Sequence, residues 1–173
     1  VASRAGDVRE PELVALSQSA PSSSSSSAAA AAGPRVNCWF GPAGTVTPLH
    51  QDPTHNLLYQ LVGRKRVRLY HPRESERLYP HQEPLLRNAS RLPVELFQQG
   101  EEACLPPQQL EHFPRFAEAR YLECELRAGD ALYIPPLHWH FVEALSQPSL
   151  SVSFWWSLRQ ARRSSTTQTQ MNS

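Results

Sequence analysis

The chain has 173 residues and a formal net charge of +1 at pH 7, which suits about one domain and provides no strong field for nucleic acid or anionic membranes. With 40% hydrophobic and 19% charged residues, it is neither collagen-like nor wholly disordered. Cys38, Cys104 and Cys124 lack CxxC spacing, which argues against a disulfide framework or zinc ribbon. No apolar run reaches the roughly 20 residues of a membrane helix. We therefore expect a soluble, intracellular protein without direct nucleic-acid or membrane binding.

Both ends of the chain differ in composition from its centre. Six serines and five alanines dominate the stretch from Pro21 to Gly33, and such small side chains offer little apolar surface to bury. This stretch predicts a linker, with a short alanine helix as the alternative. The predicted organisation is a low-complexity or diverged N-terminal segment over 1–34, a folded core over 35–157, and a polar tail over 158–173.

Within the core, short apolar stretches alternate with turn residues. Gly63-Arg64 separates two of these stretches and predicts a hairpin, while residues 72–120, rich in Pro, Gln and Glu, predict loops and short helices. Many short strands of this kind indicate an all-β antiparallel sandwich or barrel with minor helices. The predicted strands are 37–40, 45–49, 57–62, 65–70, 121–126, 131–134, 138–144 and 150–156.

The pentapeptide LHQDP places a histidine and an aspartate two residues apart. Because alternate residues of a strand project to the same face, His50 and Asp52 can hold one ion. Two histidines and one carboxylate form the facial ligand set of non-haem Fe(II) oxygenases. The third ligand would come from a distant strand, where both His138 and His140 are candidates.

A buried cation would be needed to bind the far carboxylate of a 2-oxo acid chelated to such an iron. Lys65 alternates with Val67 and Leu69 on the apolar face of its predicted strand, so it fits this role. Thr47 shares the face of His50 only if the strand is locally irregular, because the two are three residues apart. Asn56 is a further candidate donor.

Several motifs together resemble the JmjC-domain oxygenase family. They are NCWFGP at 37–42, PLHQDP at 48–53, GRK at 63–65, WH at 139–140 and SFWWS at 153–157. They span most of the core in the order of the family. The resemblance implies a double-stranded β-helix, a jelly-roll or cupin-like fold, and Fe(II), 2-oxoglutarate and O2 as cofactor and cosubstrates.

The same resemblance assigns roles to individual residues. The implied Fe(II) ligands and catalytic residues are His50, Asp52 and His140, the last preferred to His138 because it directly follows Trp139.

Around this metal, the resemblance implies that Lys65 binds 2-oxoglutarate together with Asn56, Thr47 and Trp155. Trp39 would line the substrate pocket.

Oxidation of a protein side chain is the reaction that the resemblance implies. Hydroxylation of arginine is favoured and N-methyl-lysine demethylation is the variant, so the partner would be a protein or peptide with arginine or methyl-lysine. A nuclear location, with a cytoplasmic one as the further option, comes from the resemblance alone. The chain resembles the C-terminal half of such an enzyme, and a tyrosine that contacts 2-oxoglutarate in the family would precede Val1.

The sequence leaves two alternatives to an active oxygenase. One is a catalytically inactive fragment that acts only by binding protein. The other is a cupin-type binding or isomerase domain that uses a different metal.

Overall fold

The structure, a computed structural model, describes residues 34–97 and 111–157. The predicted tail and residues 1–33 of the predicted N-terminal segment lie outside these ranges. None of the helices in the described ranges is long and apolar enough to cross a bilayer. The strands are β1 (Arg35–Gly41), β2 (Val46–Gln51), β3 (His55–Val62), β4 (Arg64–Tyr70), β5 (Tyr121–Arg127), β6 (Ala131–Ile134), β7 (Trp139–Ala144) and β8 (Ser149–Trp156).

The strands form two four-stranded sheets, in the orders β1-β8-β3-β6 and β2-β7-β4-β5. Every pairing is antiparallel. Three 3₁₀ helices, Pro72–Leu78, Val94–Leu96 and Pro114–Glu118, lie in the segment between β4 and β5, as the composition of that segment predicts. The all-β jelly-roll fold with minor helices is confirmed.

Strand β8 shows how sequence alternation sets the two faces of a sheet. Ser149, Ser151 and Ser153 alternate with apolar residues in SLSVSFWW, so the serines share one face of the strand. This face points between the two sheets, since Ser151 accepts a hydrogen bond from Lys65 of β4 in the other sheet. Small polar side chains thus leave space inside the barrel.

The described residues contain three buried hydrophobic clusters, two of which contact the sheet that carries the candidate site. Leu58, Val67 and Leu126 are buried between the sheets. A larger cluster on the other face of the β2-β7-β4-β5 sheet includes Trp139 and Phe97, where the segment between β4 and β5 packs. Burial of these aromatic side chains supplies much of the hydrophobic stabilisation of the sheet that carries the candidate site.

The predicted hairpin at Gly63-Arg64 is wrong. Strand β3 pairs with β6 and β8, whereas β4 pairs with β5 and β7, so Gly63 carries the chain from one sheet to the other. An apolar run, a glycine and a second apolar run mark a chain reversal but do not determine which strands pair. Gly63 has φ +77°, and a Cβ there would lie 2.4 Å from the carbonyl oxygen of Pro148.

Substitution of Gly63 by alanine should therefore lower the free energy of unfolding by at least about 2 kcal/mol, because strain at positive φ adds to the backbone clash. Gly44→Ala is the matched control, since Gly44 has φ +78° but a Cβ there meets nothing within 4 Å. That variant should lose only about 1 kcal/mol. Urea denaturation measures both, and equal losses would show that the close approach to Pro148 is unimportant.

Candidate metal and cosubstrate site

Strands β2 and β7 bring together two histidines and an aspartate. His50 lies directly opposite His140 in the register of these strands, and Asp52 follows the end of β2. Asp52 Oδ2 is 3.7 Å from His50 Nε2 and 3.8 Å from His140 Nε2. One ligand atom from each of the three residues lies within 4.8 Å of the others, which is close enough to hold one metal ion.

Hydrogen bonds orient both imidazole rings. His50 Nδ1 lies 2.8 Å from the Pro48 carbonyl oxygen, and His140 Nδ1 lies 3.0 Å from that of His138. A carbonyl can only accept, so each Nδ1 is the nitrogen that donates, and Nε2 is the nitrogen with which the neutral form of each ring would bind a metal. Asp52 Oδ2 is buried without a hydrogen-bond partner among the described residues. A cation bound at this oxygen would compensate for its burial.

The protonation state of His140 also suits a metal ligand. Burial, and secondarily the nearby His50, lower the pKa of His140 to about 3. The ring is therefore neutral at physiological pH, and a neutral imidazole is the form that binds metals. Two imidazole nitrogens and a carboxylate oxygen form the donor set of the non-haem Fe(II) facial triad.

His138, the other histidine considered from sequence, lies outside this cluster. Its Nδ1 faces the Pro136 carbonyl oxygen at 3.3 Å, and its ring packs edge-on against His71 with centroids 5.3 Å apart. Of the two candidates, the structure brings only His140 to His50 and Asp52.

Thr47 faces the same pocket as His50 because β2 is irregular. The register with β7 shifts between Thr47, opposite Val142, and His50, opposite His140. Three residues of β2 thus match two of β7, as in a β-bulge. Both side chains line one pocket, which is the condition that the sequence required of Thr47.

Lys65 lies on the pocket wall at β4. Its side chain is buried, and Nζ donates a hydrogen bond of 2.6 Å to Ser151 Oγ. No ion pair to Lys65 occurs within the described ranges, and burial lowers the pKa of its ammonium group. A buried cation without a counter-ion is costly, so this position suits an incoming anion.

The pocket between the sheets has an empty volume of about 440 Å³, part of it open to solvent. Trp39, Asn56 and Trp155 line it together with His50 and Lys65. Asn56 Oδ1 and Trp155 Nε1 are buried without hydrogen-bond partners in the described structure. Every residue that the resemblance assigned to the site therefore lines this pocket, except Asp52, which lies beside it near His50 and His140.

The profile of the cupin-like domain family matches residues 7–162. The chain belongs to this family. It is 50% identical over 122 residues to "Lysine-specific demethylase 8" of Danio rerio, covering 70% of the chain and 27% of that relative.

Two further relatives are similar over the same share of the chain. "Lysine-specific demethylase JMJ30" of Arabidopsis thaliana is 47% identical, with 26% of that relative covered, and "Jumonji C domain-containing protein 5" of Drosophila melanogaster is 43% identical, with 27% covered. The JmjC resemblance inferred from the motifs is confirmed. The chain spans about a quarter of the length of these curated relatives.

Two serines, one lining the pocket and one bonded to Lys65 on its wall, were missed from sequence. Ser151 accepts the hydrogen bond from Lys65, and Ser153 Oγ accepts one of 2.9 Å from Trp39 Nε1. The sequence signal that could have identified them is the serine at alternate positions 149, 151 and 153 of β8. Alternation shows that these serines share a face, but only the pairing of β8 with β1 and β3 shows that this face is the pocket.

Proposed function

We propose that the chain is the catalytic core of an Fe(II)- and 2-oxoglutarate-dependent oxygenase that modifies a protein side chain. One observation carries this proposal: the ligand atoms of His50, Asp52 and His140 converge beside a pocket whose wall holds the buried cation of Lys65. A metal site alone would fit many cupin-type proteins. The unpaired cation beside it is what favours a dicarboxylate cosubstrate.

His50 Nε2, His140 Nε2 and a carboxylate oxygen of Asp52 would hold the iron. The backbone carbonyls of Pro48 and His138 fix the two rings, so the ligands are oriented before the metal binds. Such preorganisation lowers the entropic cost of binding.

Lys65 would bind the far carboxylate of 2-oxoglutarate, with Thr47 and Asn56 as hydrogen-bond donors and Trp155 as a further contact. Ser151 would keep the ammonium group directed into the pocket. When bound, iron and 2-oxoglutarate support insertion of an oxygen atom from O2 into a substrate C–H bond, as 2-oxoglutarate is oxidised to succinate and carbon dioxide.

The substrate would be a protein or peptide. We propose hydroxylation of an arginine side chain, the reaction favoured by the resemblance of the motifs to the JmjC family. Trp39 is exposed beside the pocket and would contact the substrate.

N-methyl-lysine demethylation is the second candidate, since two of the similar relatives are named lysine-specific demethylases. A nuclear location, with a cytoplasmic one as the alternative, belongs to the same proposal.

An anaerobic titration of the chain with Fe(II) and 2-oxoglutarate tests the proposal. We expect a saturable visible charge-transfer band from the iron–2-oxoglutarate chelate. In air, the loaded chain should release succinate faster with an arginine peptide than with the same peptide carrying trimethyl-lysine or alanine at that position. A folded chain that gives neither a band nor succinate would favour the alternative of a non-catalytic, protein-binding domain.

A further inference from the structure

One row of residues across the β1-β8-β3-β6 sheet ends in a cation at the pocket. The strand register places Arg35 of β1 opposite Trp155 of β8, Trp155 opposite Asn56 of β3, and Asn56 opposite Ile134 of β6. Side chains that lie directly opposite one another in antiparallel strands share a face of the sheet. Trp155, Asn56 and Ile134 line the pocket, so Arg35 lies at the β1 end of the row on the pocket side.

The side chain of Arg35 contacts the pocket wall. Its guanidinium carbon, Cζ, lies 4.4 Å from the centroid of the Trp155 ring, which is within the range of a cation–π interaction. Arg35 is nevertheless exposed. Contact with the ring uses little of the hydrogen-bonding capacity of a guanidinium group, which has several N–H donors. Arg35 is therefore a partly positioned cation that can still bind a further group.

Arg35 differs from the other arginines of the described strands in having no acidic partner. Each of the others forms an ion pair with a glutamate; they are Arg64, Arg66, Arg68 and Arg127. Among the described residues, no carboxylate lies within ion-pair distance of Arg35, whose side chain contacts the Trp155 ring instead. A guanidinium group stays protonated at physiological pH. The described part of the chain thus leaves this one strand arginine uncompensated, and it is the one beside the pocket.

The charges of the proposed loaded site would not compensate Arg35 either. The two positive charges of Fe(II) would balance the two negative charges of 2-oxoglutarate, and the carboxylate of Asp52 would balance the ammonium group of Lys65. One positive charge would remain, on Arg35. Such a site favours a negatively charged group of a partner at that position and disfavours a second positive one. An acidic group would also offset the repulsion between Arg35 and a target arginine.

We propose that Arg35 determines substrate specificity by binding the carboxylate of an aspartate or glutamate that lies close in sequence to the modified residue. A guanidinium group can hold a carboxylate through two parallel hydrogen bonds. Because the Trp155 ring already restricts the Arg35 side chain, less conformational entropy is lost when the pair forms. The identity of the partner as a substrate rests on the proposed function.

Binding of fluorescein-labelled, C-terminally amidated peptides tests Arg35. Each peptide has a central arginine, and a single glutamate or glutamine is moved through the three positions on either side of it. The parent chain, loaded with Mn(II) and 2-oxoglutarate, should bind at least one glutamate peptide about fivefold more tightly than its glutamine counterpart, the upper end for an exposed ion pair. This preference should shrink as the salt concentration rises from about 0.05 to about 0.5 M.

Substitutions of Arg35 should change this preference in a set order. Arg35→Gln should remove it, and Arg35→Glu should reverse it in favour of a peptide with lysine at the same position. The matched control is Arg91→Gln. Arg91 is also exposed and lies over an aromatic ring, that of Tyr79, at 5.9 Å. Tyr79 packs against the cluster on the other face of the β2-β7-β4-β5 sheet, so the control should keep the preference for glutamate.

Three results would overturn the proposal. They are a parent chain that ignores glutamate at every position, a preference that survives in Arg35→Gln, and a preference that is lost in Arg91→Gln.

The charge-transfer band separates this proposal from the proposed function. A band together with peptide binding that does not depend on Arg35 would refute the contact and leave the oxygenase assignment intact. A glutamate preference that Arg35→Gln removes, in a chain without a band, would support Arg35 as a binding residue and count against catalysis.

Discussion

Replacement of His140 by alanine is expected to weaken Fe(II) binding by at least about 100-fold, because even partners that only orient a ligand are worth 10- to 100-fold. The charge-transfer band with 2-oxoglutarate should vanish over the range that saturates the parent. Asp52→Asn should act in the same direction, since it removes the only anionic group of the proposed ligand set while nearly conserving side-chain volume. Mn(II) binding followed by electron paramagnetic resonance provides a readout independent of turnover.

His138→Ala is the matched control. His138 is two residues away, but its ring faces His71 and the Pro136 carbonyl, so metal affinity should change little. Circular dichroism establishes that each variant is folded, and Asp52→Asn keeps the test decisive if the cavity left by His140→Ala unfolds the chain. Loss of the band in His138→Ala with retention in His140→Ala would reverse the assignment of the third ligand.

Local spacing was sufficient to predict much of the site. His50 and Asp52 could be paired because two residues along a strand return to the same face, and the burial of Lys65 followed from its alternation with Val67 and Leu69. Both inferences depend only on the period of an extended chain. The same holds for the fold class, since short strands between turn residues indicate a sandwich or barrel.

Features that depend on which strands meet could not be predicted in this way. The β-bulge that turns Thr47 toward the pocket is a mismatch between β2 and β7. Pro48 inside β2 is a signal of an edge strand or an irregularity, but only the pairing with β7 shows where the register shifts. The choice between His138 and His140 also depends on the register that places His140 opposite His50. The incorrect hairpin at Gly63 has the same cause, because a turn signal does not identify the partner strand.

Lys65→Met is expected to change folding stability and ligand binding in opposite directions. Lys65 is buried with Ser151 as its hydrogen-bond acceptor, and replacing a buried charge by an apolar side chain of similar length removes a desolvation cost. The variant should gain about 1 to 2 kcal/mol in free energy of unfolding at pH 7. Its affinity for 2-oxoglutarate should fall at least about 100-fold, because the bound carboxylate would face no cation. Urea denaturation and the anaerobic titration measure the two effects.

The pH dependence of this stability gain identifies its cause. Burial lowers the pKa of Lys65 below its ordinary 10.5, so the cost of the charged form is fully present below the folded-state pKa and disappears as pH rises toward 10.5. The stability difference between Lys65→Met and the parent should therefore shrink from pH 7 to pH 10.

Arg66→Met is the control on the same strand. Arg66 is buried in an ion pair of 2.6 Å with Glu143, so its loss should destabilise the chain. A Lys65→Met chain less stable than the parent at pH 7 would mean that the hydrogen bond to Ser151 outweighs the desolvation of the ammonium group, and Lys65 would then be a structural residue.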